Sequence, residues 1–165
     1  MAKTSWSLAA GLQRRAEVRL GTKLKGWLWG PGDGVQRWGQ NRVRAILDGG
    51  AGIGELLYAS FDAGAGRNEA QLSAGDSGGA VFIKDGKLYK LAGINRAVDP
   101  PFSFTNTGPG FEAALFDRRN LYEETATDTW TLVPNHSGRL PGGFYATRIS
   151  SQLDWINRII AEQTP

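Results

Sequence analysis

Five consecutive residues, Gly75-Asp76-Ser77-Gly78-Gly79, bring a hydroxyl, a carboxyl and three glycines into one short stretch. A serine that attacks a carbonyl needs an exposed hydroxyl and two backbone N–H groups aimed at the developing oxyanion. Glycine on either side of Ser77 lets the backbone turn tightly, so substrate can approach without a Cβ in the way. The same residue types also make a plain polar turn leading into a strand at Ala80. Nucleophilic catalysis further requires a base within reach of the hydroxyl. The chain has one histidine, His136, and it follows the serine in the loop-like stretch Pro134-Asn135-His136-Ser137. It reads as an exposed loop residue. Asp33, Asp48 and Asp62 precede Ser77, but no histidine precedes it for them to orient. The serine has its glycines and lacks its base.

Three further stretches fall in order behind the first. Ala80-Val81 continues from the serine as a strand, Leu91-Ala92-Gly93-Ile94 reads as the next, and Gly142-Gly143-Phe144-Tyr145-Ala146-Thr147-Arg148-Ile149 as a last one. Asp154-Trp155-Ile156 then lies in a terminal helix. In these motifs and their order the chain resembles the trypsin-like (chymotrypsin-fold) serine peptidases, from about Arg37 to the C-terminus. The resemblance implies an all-β fold: a single six-stranded Greek-key barrel, the C-terminal half of a two-barrel enzyme, closed by a C-terminal helix.

Carried over residue by residue, it implies that Ser77 is the nucleophile and that the N–H groups of Gly75 and Ser77 form the oxyanion hole. Asp76 becomes the buried carboxylate that locks the loop, in many members by pairing with a newly freed N-terminus. Gln71 falls at the base of the substrate side-chain pocket and Gly143 on its wall, while Arg96, Ala97 and Val98 pair with substrate backbone. In that family the triad runs His, Asp, Ser along the chain, the first two on the other barrel. The resemblance therefore implies a truncated peptidase with an incomplete triad. It would be inactive alone and act on peptide or protein substrates only when an N-terminal barrel completes it. It also suggests an exported or extracellular protein.

The elements that must position these residues are short. Gly26-Trp27-Leu28-Trp29 reads as a strand ended by the turn cluster Gly30 to Gly34, and Val35 to Leu47 and Leu56 to Phe61 as two more. Asp85-Gly86 marks a hairpin between Ala80–Ile83 and Leu88–Asn95. Residues 1–24 form a poorly matched segment in which Leu8 to Leu20 suggests a weak amphipathic helix interrupted by glycine. Residues 25–165 make the barrel, with a long irregular insertion at about 99–140. Leu153, Ile156 and Ile160 share one face of a helix at about 151–162, with Ser150 or Ser151 as its cap and Asp154 completing a capping box.

Composition agrees with this class. The 165 residues are 41% hydrophobic and 21% charged, and their 23 glycines show no Gly-X-Y period, which fits many tight turns. The absence of cysteine excludes disulfides and thiolate metal sites. No His/Asp/Glu spacing suggests a metal, and no cofactor motif stands out. Gly49 to Gly54 lacks the Lys-Ser/Thr ending of a phosphate loop. No stretch is apolar for the roughly 18 residues of a membrane span, and Leu8-Ala9-Ala10 is too short for a signal-peptide core. Two rival readings remain. One is a non-catalytic domain that keeps the barrel for binding. The other, prompted by the net charge of +3, is a small basic nucleic-acid-binding β protein, against which stands the lack of any nucleic-acid motif. Neither a nucleic acid nor a membrane is expected as a partner.

Overall fold

The computed structural model describes residues 4–163, with residues 4–8 through their backbone. The chain is an all-β protein with one C-terminal helix. Six strands, β1 (Thr4–Ala9), β4 (Arg37–Asp48), β5 (Glu55–Ser60), β6 (Ala80–Asp85), β7 (Leu88–Val98) and β12 (Gly143–Arg148), pair antiparallel in the cyclic order β1-β4-β5-β12-β7-β6. The sheet curls because its two longest strands each serve two neighbours. The first half of β4 pairs with β1 and the second half with β5, with a register shift between Val43 and Ala45. In the same way β7 passes from β6 to β12, with shifts in both ladders. Extra residues at such points bend a strand and increase its twist.

Alternation fills the interior. Leu57 and Ala59 of β5, Phe144 and Ala146 of β12 and Val81 of β6 meet Leu72 inside the curl. Their neighbours Tyr58 and Tyr145 stand opposite one another on the outer face, ring centroids 5.2 Å apart. This is the period-two pattern of a sheet with one face buried.

A second layer covers part of that outer face, and it departs from the expectations of sequence. The stretch expected as a weak helix, Leu8 to Leu20, is instead the end of β1 followed by the strand β2 (Leu12–Leu20). Gly21, at φ +60°, turns β2 back onto β3 (Lys23–Gly32), and the hairpin partner overrides the modest helix preference of the Arg- and Ala-rich run. The stretch 99–140 is not without elements. It contains β8 (Phe102–Ser103), β9 (Ala113–Leu115), β10 (Tyr122–Ala126) and β11 (Thr129–Leu132), too short to announce themselves by pattern. They complete two three-stranded sheets, β2-β3-β9 and β11-β10-β8. Gly26 permits the first of these, since a Cβ there would lie 2.0 Å from the Ala114 carbonyl oxygen.

Between the two small sheets lies a separate core of Val18, Phe102, Ala113, Leu115 and Leu121. Beside it Lys25, 2% exposed, donates from Nζ to Asp117 Oδ2 at 3.0 Å and to the Arg119 carbonyl at 2.8 Å. Arg119 closes on the same carboxylate from Nε and Nη2. At the C-terminus a short 3-10 turn, Ile149–Ser151, precedes the helix α1 (Leu153–Glu162). The expected serine cap does not form: Gln152 occupies the cap position without a side-chain capping bond, its Nε2 donating instead to the Ile53 carbonyl, and Ser151 Oγ donates to the Arg148 carbonyl.

Candidate functional site

The loop between Leu72 and Gly79 joins the core of the curled sheet to β6. Its conformation requires glycine on both sides of the serine, because Gly75 and Gly78 have φ of +90° and +83°, where a side chain is strained. Asp76 lies between them and turns inward, 9% exposed. Its Oδ1 accepts the Gly11 N–H at 2.6 Å, and its Oδ2 accepts the Ser73 N–H at 2.7 Å and stands 3.1 Å from the Ser73 hydroxyl. Ser73 Oγ in turn accepts the Leu12 N–H at 2.7 Å. The carboxylate expected to lock the loop thus sits on two internal backbone donors, Gly11 just before β2 and Ser73 in the loop itself. Gly11 is needed there, since a Cβ would fall 2.5 Å from both the Asp76 carboxyl and the Ser73 hydroxyl.

The backbone donors of the loop divide into two sets. The Asp76 N–H donates to the Ser73 carbonyl, the Gly78 N–H to the Asn95 carbonyl and the Gly79 N–H to the Asp76 carbonyl. The N–H groups of Gly75 and Ser77 donate to no protein acceptor among the described residues. Ser77 itself is exposed, and its hydroxyl makes no hydrogen bond among the described residues. Asn95, whose N–H donates to the Gly79 carbonyl, fixes β7 against the loop on the far side.

A shallow cleft of about 90 Å3 adjoins the serine, and Arg96, Ala97 and Val98 line it together with Ser77, Asp76 and Ser73. The structure therefore brings most of the expected site residues to one place. Gln71 and Gly143 stand apart from that lining and are joined to one another: Gln71 Nε2 donates to the Gly143 carbonyl at 2.6 Å. The Gly143 N–H donates at 2.6 Å to Asp99, whose carboxyl is pushed up to about 6 by burial, against the opposing pull of Arg118 and of this hydrogen bond. A Cβ at Gly143 would strike the Tyr58 ring at 2.4 Å. His136 is exposed between β11 and β12, with its carbonyl accepting from Arg119 Nη1, and it does not line the cleft at Ser77.

Gly11, Leu12, Ser73 and Asn95 were not legible as site residues. The first two lie some sixty positions from the carboxylate and hydroxyl they bind, and nothing local marks a backbone N–H as a partner for a distant side chain. Among the described residues no three His, Asp or Glu side chains stand close enough to hold a metal ion, and no helix is long and apolar enough to cross a membrane. No family model, curated protein or solved structure matches the chain. The reading of the site therefore rests on its own geometry.

Proposed function

We propose that this chain is the nucleophile-bearing half of a trypsin-like serine endopeptidase, its curled sheet being the second Greek-key barrel of a two-barrel fold. One observation carries the reading. Around an exposed serine, the N–H groups of Asp76, Gly78 and Gly79 are consumed by the fold, while those of Gly75 and Ser77 remain for an outside acceptor. An oxyanion hole requires that division, because donors already satisfied cannot strengthen their bonds as negative charge develops.

In the proposed reaction Ser77 Oγ adds to the carbonyl carbon of a peptide bond. Its proton passes to a histidine supplied by the completing barrel, and the oxygen of the tetrahedral intermediate accepts from the Gly75 and Ser77 N–H groups. Collapse expels the amine, which takes the proton, and water then releases the acyl group from Ser77. This chain's own contribution is the hydroxyl, the two donors and the rigid loop. The required histidine and its aspartate are not among these residues, so the chain alone holds a nucleophile without activating it. Substrate is a peptide or protein. Gln71, implied at the pocket base, lies outside the cleft at Ser77, and Asp76, the carboxylate on that lining, is engaged by the Gly11 and Ser73 N–H groups. A desolvated Arg or Lys side chain therefore gains no counter-charge there and is not strongly preferred.

Chemical rescue tests the proposal. With p-nitrophenyl acetate, added imidazole is expected to take the Ser77 proton and produce acetyl-Ser77 and nitrophenol, read by mass spectrometry and lost in Ser77→Ala. Without imidazole a serine-directed phosphonate should leave the protein unlabelled. Stoichiometric labelling of Ser77 by the phosphonate alone would reveal a base within this chain. Failure of imidazole to promote acylation at Ser77 would remove the peptidase reading and leave a non-catalytic binding domain.

A further inference from the structure

Three of the four buried side-chain polar atoms without a partner among the described residues belong to residues lining a cleft of about 410 Å3, away from Ser77, between the β2–β3 hairpin and the segment 61–73. That volume is within the range of small-molecule sites. Its apolar walls are aromatic: Trp27 meets Phe61 and Phe116 edge-on, with centroids 6.2 and 5.7 Å away. Trp27 and Trp29, two residues apart on β3, both line the cleft, and the indole Nε1 of each is buried with no hydrogen-bond partner. Gln71 Oε1, on the same lining, is the third such atom. Buried donors without partners are rare in folded proteins and costly to keep.

The charged groups of the walls are unequally engaged. Asp62 is bonded to Arg44 and to the Ser60 hydroxyl, and Glu69 Oε1 accepts the Asp62 N–H at 3.0 Å. Both carboxylates have partners. Arg14 and Arg67 make no ion pair among the described residues, and the Arg14 guanidinium lies 4.1 Å from the centroid of the Trp27 ring. The indole Nε1 atoms and Gln71 Oε1 lie within the walls, closed to solvent, whereas the Arg14 and Arg67 side chains on the lining are exposed and carry charge without an acidic partner among the described residues. A ligand that balances such walls is anionic and flat, with an apolar face for the indole and phenyl rings.

We propose that this cleft binds a small aromatic carboxylate, its carboxylate held by Arg14 and its ring against Trp27. The site needs no chemistry at Ser77, and it is tied to that loop through Ser73, which lines both clefts, and through β2. The Leu12 N–H donates to Ser73 Oγ, while Leu12 and Arg14 line the cleft.

The test is a calorimetric titration of the intact chain with 2-naphthoate and with its neutral counterpart 2-naphthalenemethanol. Naphthoate should bind saturably at one site, and the alcohol at least roughly tenfold more weakly, because it lacks the charge that Arg14 meets. Arg14→Gln should weaken naphthoate by a similar factor. Arg14 is exposed, so the variant is expected to fold as wild type. Arg15→Gln, next along β2 and outside the cleft lining, should leave binding unchanged, as should Ser77→Ala. The proposal is overturned by the absence of saturable binding, by equal affinity for the alcohol, or by equal losses in Arg14→Gln and Arg15→Gln. None of these results bears on acylation at Ser77.

Discussion

The core of the curled sheet is apolar throughout, with Leu57, Ala59, Val81, Phe144 and Ala146 closing on Leu72. The layer laid over its outside has an apolar core of its own, yet the largest of its fully buried side chains is Lys25, clamped with Arg119 on Asp117. The two regions answer differently to substitution and to pH. Removing methyl groups from an apolar core costs in proportion to the cavity left and does not depend on proton concentration. Removing one member of a buried ion cluster strands the others without solvent or partner, which costs more than the pair itself contributes. The same layer also forms one wall of the aromatic cleft, the segment 61–73 forming the other, and the Ser77 loop hangs on the curled sheet.

The sharpest way to break this contrast is Asp117→Ala. Lys25 then lies buried with only the Arg119 carbonyl as acceptor, and a loss of about 3–5 kcal/mol is expected in urea unfolding. Pairing Lys25→Met with Asp117→Leu should recover much of that loss, since both charges leave together. A loss under about 1 kcal/mol in the single variant would place the cluster among solvated surface pairs. Burial opposes ionisation of Asp117, but the hydrogen bonds from Arg119 and Lys25 outweigh it and hold its carboxyl below the usual range. Its contribution is therefore present above the ordinary carboxylate pKa and is lost as pH falls through the depressed value.

Asp99, where β7 meets the overlying layer, has the opposite sign. Burial raises its carboxyl to about 6, only partly offset by Arg118 and the Gly143 N–H. The folded state favours the protonated form, so the Asp99 contribution to stability is greatest below the ordinary carboxylate value and declines as pH rises from about 4 to 6. A shift of that size corresponds to at most about 3 kcal/mol. Thermal melts of wild type and Asp99→Asn at either end of this window should differ: the variant keeps an acceptor for Gly143 and lacks the decline. A wild type with no decline between those pH values would show that Asp99 is solvated.

Most of the curled sheet could be read from sequence because its signals are local; β1, which falls in the segment 1–24 expected to lie outside the barrel, could not. Alternation marks β5 and β12, Asp85-Gly86 marks the β6–β7 turn, and Gly75-Asp76-Ser77-Gly78 marks the loop. Of the outer layer only β3 could be read, from Gly26-Trp27-Leu28-Trp29. Lys25 and Asp117 meet across 92 positions, β8 and β9 are two and three residues long, and β2 has residues as suited to a helix as to a strand until β3 pairs with it. A long lysine buried on a distant aspartate leaves no periodic trace. Asp76 falls between the two cases: its burial was expected, and its partner Gly11 was not. Asp76→Ala would leave the Gly11 and Ser73 N–H groups unpaired, at about 1–3 kcal/mol. Amide exchange should quicken at Gly11 and Ser73 while the barrel interior stays protected. Unchanged exchange at Gly11 would mean that the carboxylate does not hold the loop.

The C-terminal helix belongs to neither core, and it gives the smallest effect and the most direct test of where stability resides. Its sequence promises burial, with Leu153, Trp155, Ile156, Ile159 and Ile160 all within ten residues. In the structure none of its residues is buried, and Trp155 is 56% exposed. A side chain that leaves little water on folding contributes little, so Trp155→Ser should change unfolding free energy by no more than about 0.5 kcal/mol. Phe144→Ala, at 3% exposure on β12, should cost about 3–5 kcal/mol. The exposed apolar side chains have a separate consequence. Together with Leu88 and Leu91 on β7, they give the isolated chain apolar surface that favours association between copies. Sedimentation at rising concentration should show self-association of the wild type and less of it in Trp155→Ser, at nearly equal stability. If the variant instead lost more than about 1 kcal/mol, the helix would be packed against the body in solution. A monomeric wild type at every concentration would mean that its apolar face draws no second copy.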